Sequence, residues 1–95
     1  MNPVHQAILT LSNAAGLHAR PAARFVQTAA SFASAITVRN ITRGTSVVDA
    51  KAILAVLTLG AERGHVIEVS AAGPDEVEGL AAMRALVESG LGEGP

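Results

Sequence analysis

Apolar and polar residues alternate along several stretches of the chain, which is the pattern of a β-strand with one buried face. In the first stretch, Ala7, Leu9 and Leu11 share a face. The alternation returns in two later stretches, and a shorter apolar stretch follows a turn that contains Gly44. The predicted strands cover residues 4–11, 36–39, 46–48 and 65–71.

Three other segments have apolar residues at the spacing of a helix. In the first they recur at i, i+3, i+4 and i+7, at Ala22, Phe25, Val26 and Ala29. Asp49 is a candidate N-cap of the second, because its carboxylate can accept hydrogen bonds from the free amides of a first turn. The third follows Pro74 and Asp75 and has its apolar stripe at Val77, Leu80, Met83 and Val87. The first two helices are predicted over residues 18–30 and 50–59.

The elements follow one another in the order βαββαβα, which indicates an α+β fold with helices on one face of a sheet. A chain of 95 residues is the size of one compact domain. We expect that domain to cover residues 1–88. The glycine-rich segment 89–95 is predicted to be a flexible C-terminal tail, because no helix follows its glycines.

The second predicted helix has more apolar residues than one core-facing side can hold. They are Ala52, Ile53, Leu54, Val56, Leu57 and Leu59. One interpretation is that part of this surface is exposed and binds a partner. The other is that the helix lies deeply buried between neighbouring elements. The sequence does not distinguish these two arrangements.

Composition excludes several classes of protein. With 49% hydrophobic and 16% charged residues, the chain is not intrinsically disordered. The net charge of -1 provides no basic field for nucleic acid, and without Trp or Tyr there is no platform for stacking bases. The chain has no cysteine, so it has no disulfides and no thiolate metal sites.

The chain shows no sign of export or of membrane insertion. Its N-terminal residues lack the basic and apolar regions of a signal peptide. The longest apolar run, around residues 52–57, is far too short to cross a bilayer. We therefore expect a cytoplasmic protein that does not insert directly into a membrane.

The strongest chemical signal is a histidine at a glycine-marked turn. Residues 16–21 read Gly-Leu-His-Ala-Arg-Pro, and proline is tolerated in a first helical turn. His18 is therefore predicted at a helix N-terminus, where unpaired amides and the helix dipole favour an anion such as phosphate. Arg20 adds a permanent cation that can pair with phosphate oxygens. This combination indicates a histidine that is itself phosphorylated.

The other two histidines lack this setting. His5 and His65 are interpreted as solvated surface residues. Three scattered histidines without paired carboxylates nearby form neither a metal site nor a general acid–base pair. A self-contained hydrolase or metalloenzyme is therefore disfavoured, and no metal or cofactor is expected.

Two motifs resemble those of the HPr family, the histidine-containing phosphocarrier proteins of the bacterial phosphoenolpyruvate-dependent phosphotransferase system. Residues 16–21 are similar to the active-site signature of the family, and residues 49–54 and 58–60 are similar to its second signature. The resemblance extends over about residues 4–87. It implies an open-faced β-sandwich, with a four-stranded antiparallel sheet covered on one face by three helices.

The resemblance also implies a role for individual residues. His18 would take a phosphoryl group at Nδ1 from enzyme I and pass it to an acceptor such as a sugar-specific EIIA component. Arg20 would hold the phosphate, together with the backbone of Ala19 and Arg20. The protein would be a monomeric phosphocarrier with a transient phosphohistidine rather than a free-standing catalyst. The implied partner-docking residues are Ala19, Arg24, Ile53, Leu54 and Leu57.

The chain departs from the family pattern at two places. Ala52 stands where Gram-positive relatives have a regulatory serine, so that phosphorylation switch is absent. Residues 39–48 look longer than in a free-standing HPr, and are similar to HPr-like modules of multidomain phosphotransferase proteins and of the dihydroxyacetone kinase phosphocarrier subunit. The acceptor therefore stays open. The alternative is a regulatory module that acts mainly by docking, but such a module can lose His18 and Arg20, which this chain retains.

Overall fold

The computed structural model describes residues 5–93, which form a four-stranded antiparallel sheet and three helices. In sheet order the strands are β1 (His5–Thr10), β4 (Val66–Ala72), β2 (Ala35–Asn40) and β3 (Val48–Asp49). The helices are α1 (Ala19–Ala30), α2 (Ile53–Leu57) and α3 (Glu76–Glu88). The predicted fold class and element order are confirmed.

The sheet has one buried and one open face. On the central strand, Val69 lies opposite Ala7 of β1 and Val38 of β2, and all three side chains are buried. Ile8 points to the other face and is 59% exposed. Because side chains alternate along a strand, this register puts the predicted apolar face of every long strand against the helices.

The core lies between that face and the helices. Phe25 of α1 and Met83 of α3 are completely buried in one cluster with Ile36 and Ile67 of the sheet. Each large apolar side chain buried in this way contributes about 1.5–3 kcal/mol to folding. The apolar stripe predicted for α1 therefore faces the core, and the helix is held with its N-terminus at the turn before it.

A polar contact joins the beginning of α3 to the loop after α1. The carboxylate of Asp75 accepts hydrogen bonds from the backbone N–H groups of Ala33 (3.0 Å) and Ser34 (2.8 Å) and from the Ser34 hydroxyl (2.5 Å). These bonds, the Ser34 hydroxyl first among them, lower the pKa of Asp75 to about 2.

The helix α2 is shorter than predicted, and Asp49 is not its N-cap. Asp49 pairs with Thr37 in the sheet, and its Oδ1 accepts a hydrogen bond from the backbone N–H of Lys51 (2.9 Å). Because the chain stays extended through this pairing, the helix begins later, with Ala52 as an N-cap that makes no side-chain bond.

The beginning of α3 also differs from its predicted stripe. Val77 is 57% exposed, whereas Leu80, Met83 and Val87 are buried as predicted. At about 100° per residue, Val77 lies roughly 100° from the centre of the face that those three form with Gly79.

Within residues 5–93, no helix combines the length and apolar character that a membrane crossing requires.

The segment after α3 packs against the rest of the domain instead of extending away from it. Leu91 is fully buried, and the side chain of Glu93 is hydrogen-bonded to the loop before α1. Gly90 and Gly92 have positive φ, as does Leu91, and they turn the chain back onto the domain. The structure thus differs from the predicted flexible tail over residues 89–93, while residues 94–95 lie outside the described part of the chain.

Candidate functional site

His18 is the N-cap residue of α1. Its backbone is extended, with φ −133° and ψ 162°, and its carbonyl oxygen accepts a hydrogen bond from Ala22 N–H (3.3 Å). The half-buried imidazole does not cap the helix and has no hydrogen-bond partner among residues 5–93. The ring is therefore held at the helix N-terminus without being used structurally.

The backbone immediately after His18 adopts an unusual conformation. Ala19 has φ +49°, in the left-handed region that costs an alanine about 1–2 kcal/mol. The N–H groups of Ala19 and Arg20 have no acceptor within residues 5–93, as expected for the first turn of a helix. Two free donors next to an unused imidazole suit an incoming anion.

The charge at this end of the helix also favours an anion. The first turn of α1 has no acidic residue, and the exposed side chain of Arg20 makes no ion pair within the described residues. Its guanidinium can therefore pair with a phosphoryl group on His18 without first breaking an ion pair with a carboxylate. Arg20 lies in the first turn of α1, two positions after the N-cap His18, and its role in holding phosphate stays a prediction.

Two residues seat the turn before His18 on the loop after α2. Leu17 is completely buried, and its N–H donates to the carbonyl oxygen of Ala61 (2.8 Å). Gly16 has φ +64°, and a Cβ at this position would lie 2.3 Å from that same oxygen. Only glycine allows this close approach, which explains the glycine of the motif physically.

Sequence reasoning missed two residues that support the same turn. Asn13 is fully buried, and its Nδ2 donates to the carbonyl oxygen of Gly16 (3.0 Å) and to Glu93 Oε1 (3.0 Å). Its Oδ1 is buried without a hydrogen-bond partner among the described residues. The partners Asn13 and Glu93 are 80 positions apart, so no local pattern could have indicated this contact.

Part of α2 is exposed, as the first of the two interpretations expected. Val56 faces the core, whereas Leu54 is 76% exposed and Ile53 and Leu57 are about 40% exposed. The helix packs against α1, so this apolar surface adjoins the helix that carries His18. We call Ile53, Leu54 and Leu57 the α2 patch. Its use in docking stays a prediction.

The other predicted docking residues lie on α1. Ala19 and Arg24 are both exposed. The Arg24 side chain also covers Gly92, where a Cβ would lie 2.8 Å from its guanidinium carbon. Val47, which precedes β3 and is 57% exposed, is a further apolar surface residue that sequence reasoning did not select.

The remaining histidines are engaged in structural contacts. His5 Nδ1 contacts Glu76 Oε2, and the Gly73 N–H together with this histidine lowers the pKa of Glu76. His65 Nδ1 lies 3.1 Å from Asn40 Nδ2 and 3.2 Å from the backbone N of Glu62, two groups that can donate hydrogen bonds to it. His65 is therefore half-buried and bonded rather than simply solvated. No group of three or more potential metal ligands occurs within residues 5–93.

Comparison with known proteins agrees with this geometry. A family model described as "PTS HPr component phosphorylation site" matches residues 5–89. The chain is 40% identical over 83 residues to the phosphocarrier protein NPr of Klebsiella oxytoca, covering 87% of this chain and 90% of that protein. It is also 40% identical over 90 residues to a multiphosphoryl transfer protein of Vibrio cholerae, covering 95% of this chain but only 22% of that longer protein.

Solved structures show the same architecture. HPr from Thermoanaerobacter tengcongensis has a TM-score of 0.89 at 42% identity, with 96% of this chain and 99% of that chain covered. HPr from Bacillus anthracis has a TM-score of 0.84 at 35% identity, with 90% and 99% covered. The overall fold is thus shared over nearly the whole chain.

Proposed function

The chain belongs to the HPr family of phosphocarriers of the phosphotransferase system, and we propose that it carries the phosphoryl group on His18. Enzyme I is the proposed donor, and an EIIA-type protein is the proposed acceptor. The observation that carries this proposal is the His18 imidazole at the N-terminus of α1, which has no hydrogen-bond partner among residues 5–93 and lies beside two amides that have no acceptor there. We place this activity in the cytoplasm.

In the proposed transfer, the electron pair of Nδ1 of His18 attacks the phosphorus of the donor's phosphohistidine. A new N–P bond forms, the donor's N–P bond breaks, and its electron pair returns to the donor imidazole. Because one N–P bond replaces another, the exchange needs no further reactant. Transfer to the acceptor repeats the same exchange, with His18 as the leaving ring.

The residues around His18 supply binding and charge stabilisation. The amides of Ala19 and Arg20 and the Arg20 guanidinium can bind the phosphoryl oxygens, where negative charge gathers during transfer. The α2 patch and the exposed α1 residues Ala19 and Arg24 would position the partner. A partner surface with apolar and acidic groups fits this combination.

An HPr-like module that acts mainly by docking, including one associated with a dihydroxyacetone kinase, is the second candidate. The match to the Vibrio cholerae multiphosphoryl transfer protein supports this candidate, because the matched region is 22% of that longer protein. Sequences similar to this chain therefore also occur as one part of a longer protein. The phosphocarrier assignment accounts for His18 and Arg20, whereas a docking module needs neither of them. The residues of this domain do not determine which acceptor protein receives the phosphoryl group.

Incubation with enzyme I and phosphoenolpyruvate, followed by mass spectrometry, tests the proposal. One phosphoryl group is expected on His18, and it should be lost in acid and stable in base. The variant His18→Ala should accept none, while His5→Ala is the matched control and should be labelled normally. If His18→Ala is phosphorylated at the wild-type rate, the proposal is wrong.

A further inference from the structure

The segment that follows α3 is fastened to the turn that precedes α1. This segment, residues 89–93, is here named the C-terminal strap. It is anchored by the fully buried Leu91, and Gly92 lies directly under the Arg24 side chain. Its last residue, Glu93, then reaches the loop that leads to His18. The buried Leu91 and the contact between Gly92 and Arg24 together fix the position of the next residue, Glu93.

Glu93 holds this loop through a single oxygen. Its Oε1 accepts hydrogen bonds from Asn13 Nδ2 (3.0 Å) and from the backbone N–H of Ala15 (3.3 Å). Asn13 Nδ2 donates in addition to the carbonyl oxygen of Gly16 (3.0 Å). Both partners of the Asn13 amide are acceptors, so its nitrogen must face them. A continuous chain of hydrogen bonds thus runs from the strap to the backbone two residues before His18.

We propose that Glu93 is a positioning residue for His18, which acts through Asn13 and the Ala15 N–H to hold the turn that presents the imidazole. This inference rests on the proposed function of His18. Residues 11–18 connect β1 to α1, and the contact of Leu17 with Ala61 holds only the end of this loop next to His18. The contacts of Glu93 hold its middle, at Asn13 and Ala15. The transfer needs the ring in line with a phosphorus atom on another protein, and small displacements of a reacting group slow such a reaction strongly.

The hydrogen bonds of Asn13 support this role. Among residues 5–93 its Oδ1 has no hydrogen-bond partner, so the side chain is held through Nδ2. Its two donor contacts, to Glu93 and to Gly16, are what fix it. Removing Glu93 therefore releases one of the two contacts that hold Asn13 and the only one that Ala15 N–H makes within the described residues.

The test compares Glu93→Ala with Glu93→Gln. Because both bonds end on one oxygen, the amide oxygen of glutamine can accept both, whereas alanine can accept neither. Glu88→Ala is the matched control, since Glu88 is exposed at the end of α3 and makes no side-chain hydrogen bond within residues 5–93. All variants are first checked for a native far-ultraviolet spectrum and melting temperature.

Each protein is measured in two experiments, one on the unphosphorylated protein and one on phosphotransfer. In the unphosphorylated protein, Glu93→Ala should increase hydrogen exchange at the Ala15 amide severalfold and shift the His18 ring resonances, while Glu93→Gln and Glu88→Ala stay near wild type. In phosphotransfer from phosphorylated enzyme I, Glu93→Ala should lower kcat/KM on the order of tenfold, and glutamine should restore most of it.

The inference is overturned if Glu93→Ala matches wild type in both experiments, or if Glu93→Gln is as impaired as Glu93→Ala. Failure of the proposed function looks different. In that case wild type and Glu88→Ala also fail to take phosphate from enzyme I, while the exchange at Ala15 and the His18 resonances still report whether Glu93 holds the turn.

Discussion

The backbone N–H of Leu17 donates a 2.8 Å hydrogen bond to the carbonyl oxygen of Ala61. This bond joins the turn before His18 to the loop after α2. The turn that presents His18 and the helix that carries the α2 patch are therefore joined by a direct backbone contact. Gly16 makes the close approach possible, because any Cβ there would meet the same carbonyl oxygen.

Substitution of Gly16 by alanine should therefore destabilise the domain more than a positive φ alone explains. Gly64 is the matched control, since it also has positive φ (+88°) but its Cβ would meet nothing within 4 Å. We expect Gly64→Ala to lower the free energy of unfolding by about 1–2 kcal/mol, and Gly16→Ala to lower it by at least ~1 kcal/mol more. Urea denaturation measures both, and equal losses would contradict the contact with Ala61.

Arg20→Ala should slow phosphoryl transfer without affecting the fold. An exposed cation with no ion pair in the described residues contributes within about 1 kcal/mol to stability. A charge-assisted hydrogen bond to the phosphoryl group is worth about 1.5–3 kcal/mol, so transfer should slow by about tenfold or more. Stopped-flow transfer from phosphorylated enzyme I measures the rate.

The control for this substitution is Arg84→Ala, which removes an exposed arginine from α3. It should leave the transfer rate unchanged. Arg20→Lys should be intermediate, because lysine keeps the charge but not the planar fork of donors. An unaltered rate for Arg20→Ala, or a collapse of its fold, would each argue against the assigned role.

Leu54→Glu tests whether the α2 patch binds partners. Leu54 is 76% exposed, so the variant should remain folded with nearly the wild-type melting temperature. The dissociation constant for enzyme I should rise at least about tenfold, as is typical when a central interface residue is lost. Val77→Glu is the matched control, because Val77 is also exposed (57%) but lies on α3.

Titration calorimetry with enzyme I distinguishes the outcomes. Reduced affinity for Leu54→Glu alone supports the α2 patch as the docking surface. A folded Leu54→Glu protein with wild-type affinity would show that the exposed leucine serves another purpose. Equal losses for both variants would indicate a general effect of added negative charge on the encounter with the partner.

Stability should fall in acid because of Asp75. Its pKa is about 2 in the folded protein and 3.8 for an unperturbed aspartate, so the folded state binds fewer protons in this range. The stabilisation by Asp75 is therefore fully present above about pH 4 and is lost as the pH falls towards 2. Urea denaturation between pH 2 and 6 should show this slope.

Two substitutions test whether the pH dependence of stability comes from the contact between Asp75 and Ser34. Asp75→Asn cannot ionise and should flatten the pH dependence between about pH 4 and 2, and Ser34→Ala should remove part of it because the Ser34 hydroxyl is the largest cause of the shift. A slope that is unchanged in Asp75→Asn would assign acid sensitivity to other carboxylates, such as Glu76, whose pKa is also lowered.

The sequence by itself determined the features that depend on neighbouring residues. Alternation predicted which face of each long strand is buried, because the side-chain period of a strand is local. Gly16 and Pro21 on either side of His18 place the histidine at a helix N-terminus through the conformations that these residues allow. The surplus of apolar residues in 50–59 raised the possibility of an exposed surface, but it did not distinguish that arrangement from a deeply buried helix.

The tertiary structure decided what depends on residues far apart in the chain. Pairing of Asp49 with β2 delays the start of α2, and the burial of Leu91 folds the glycine-rich segment back onto the domain. The contact between Asn13 and Glu93 spans 80 positions. No periodicity connects residues at such separations, since they meet only when the sheet and helices have packed, and the support of His18 from the C-terminal strap is therefore a property of the fold alone.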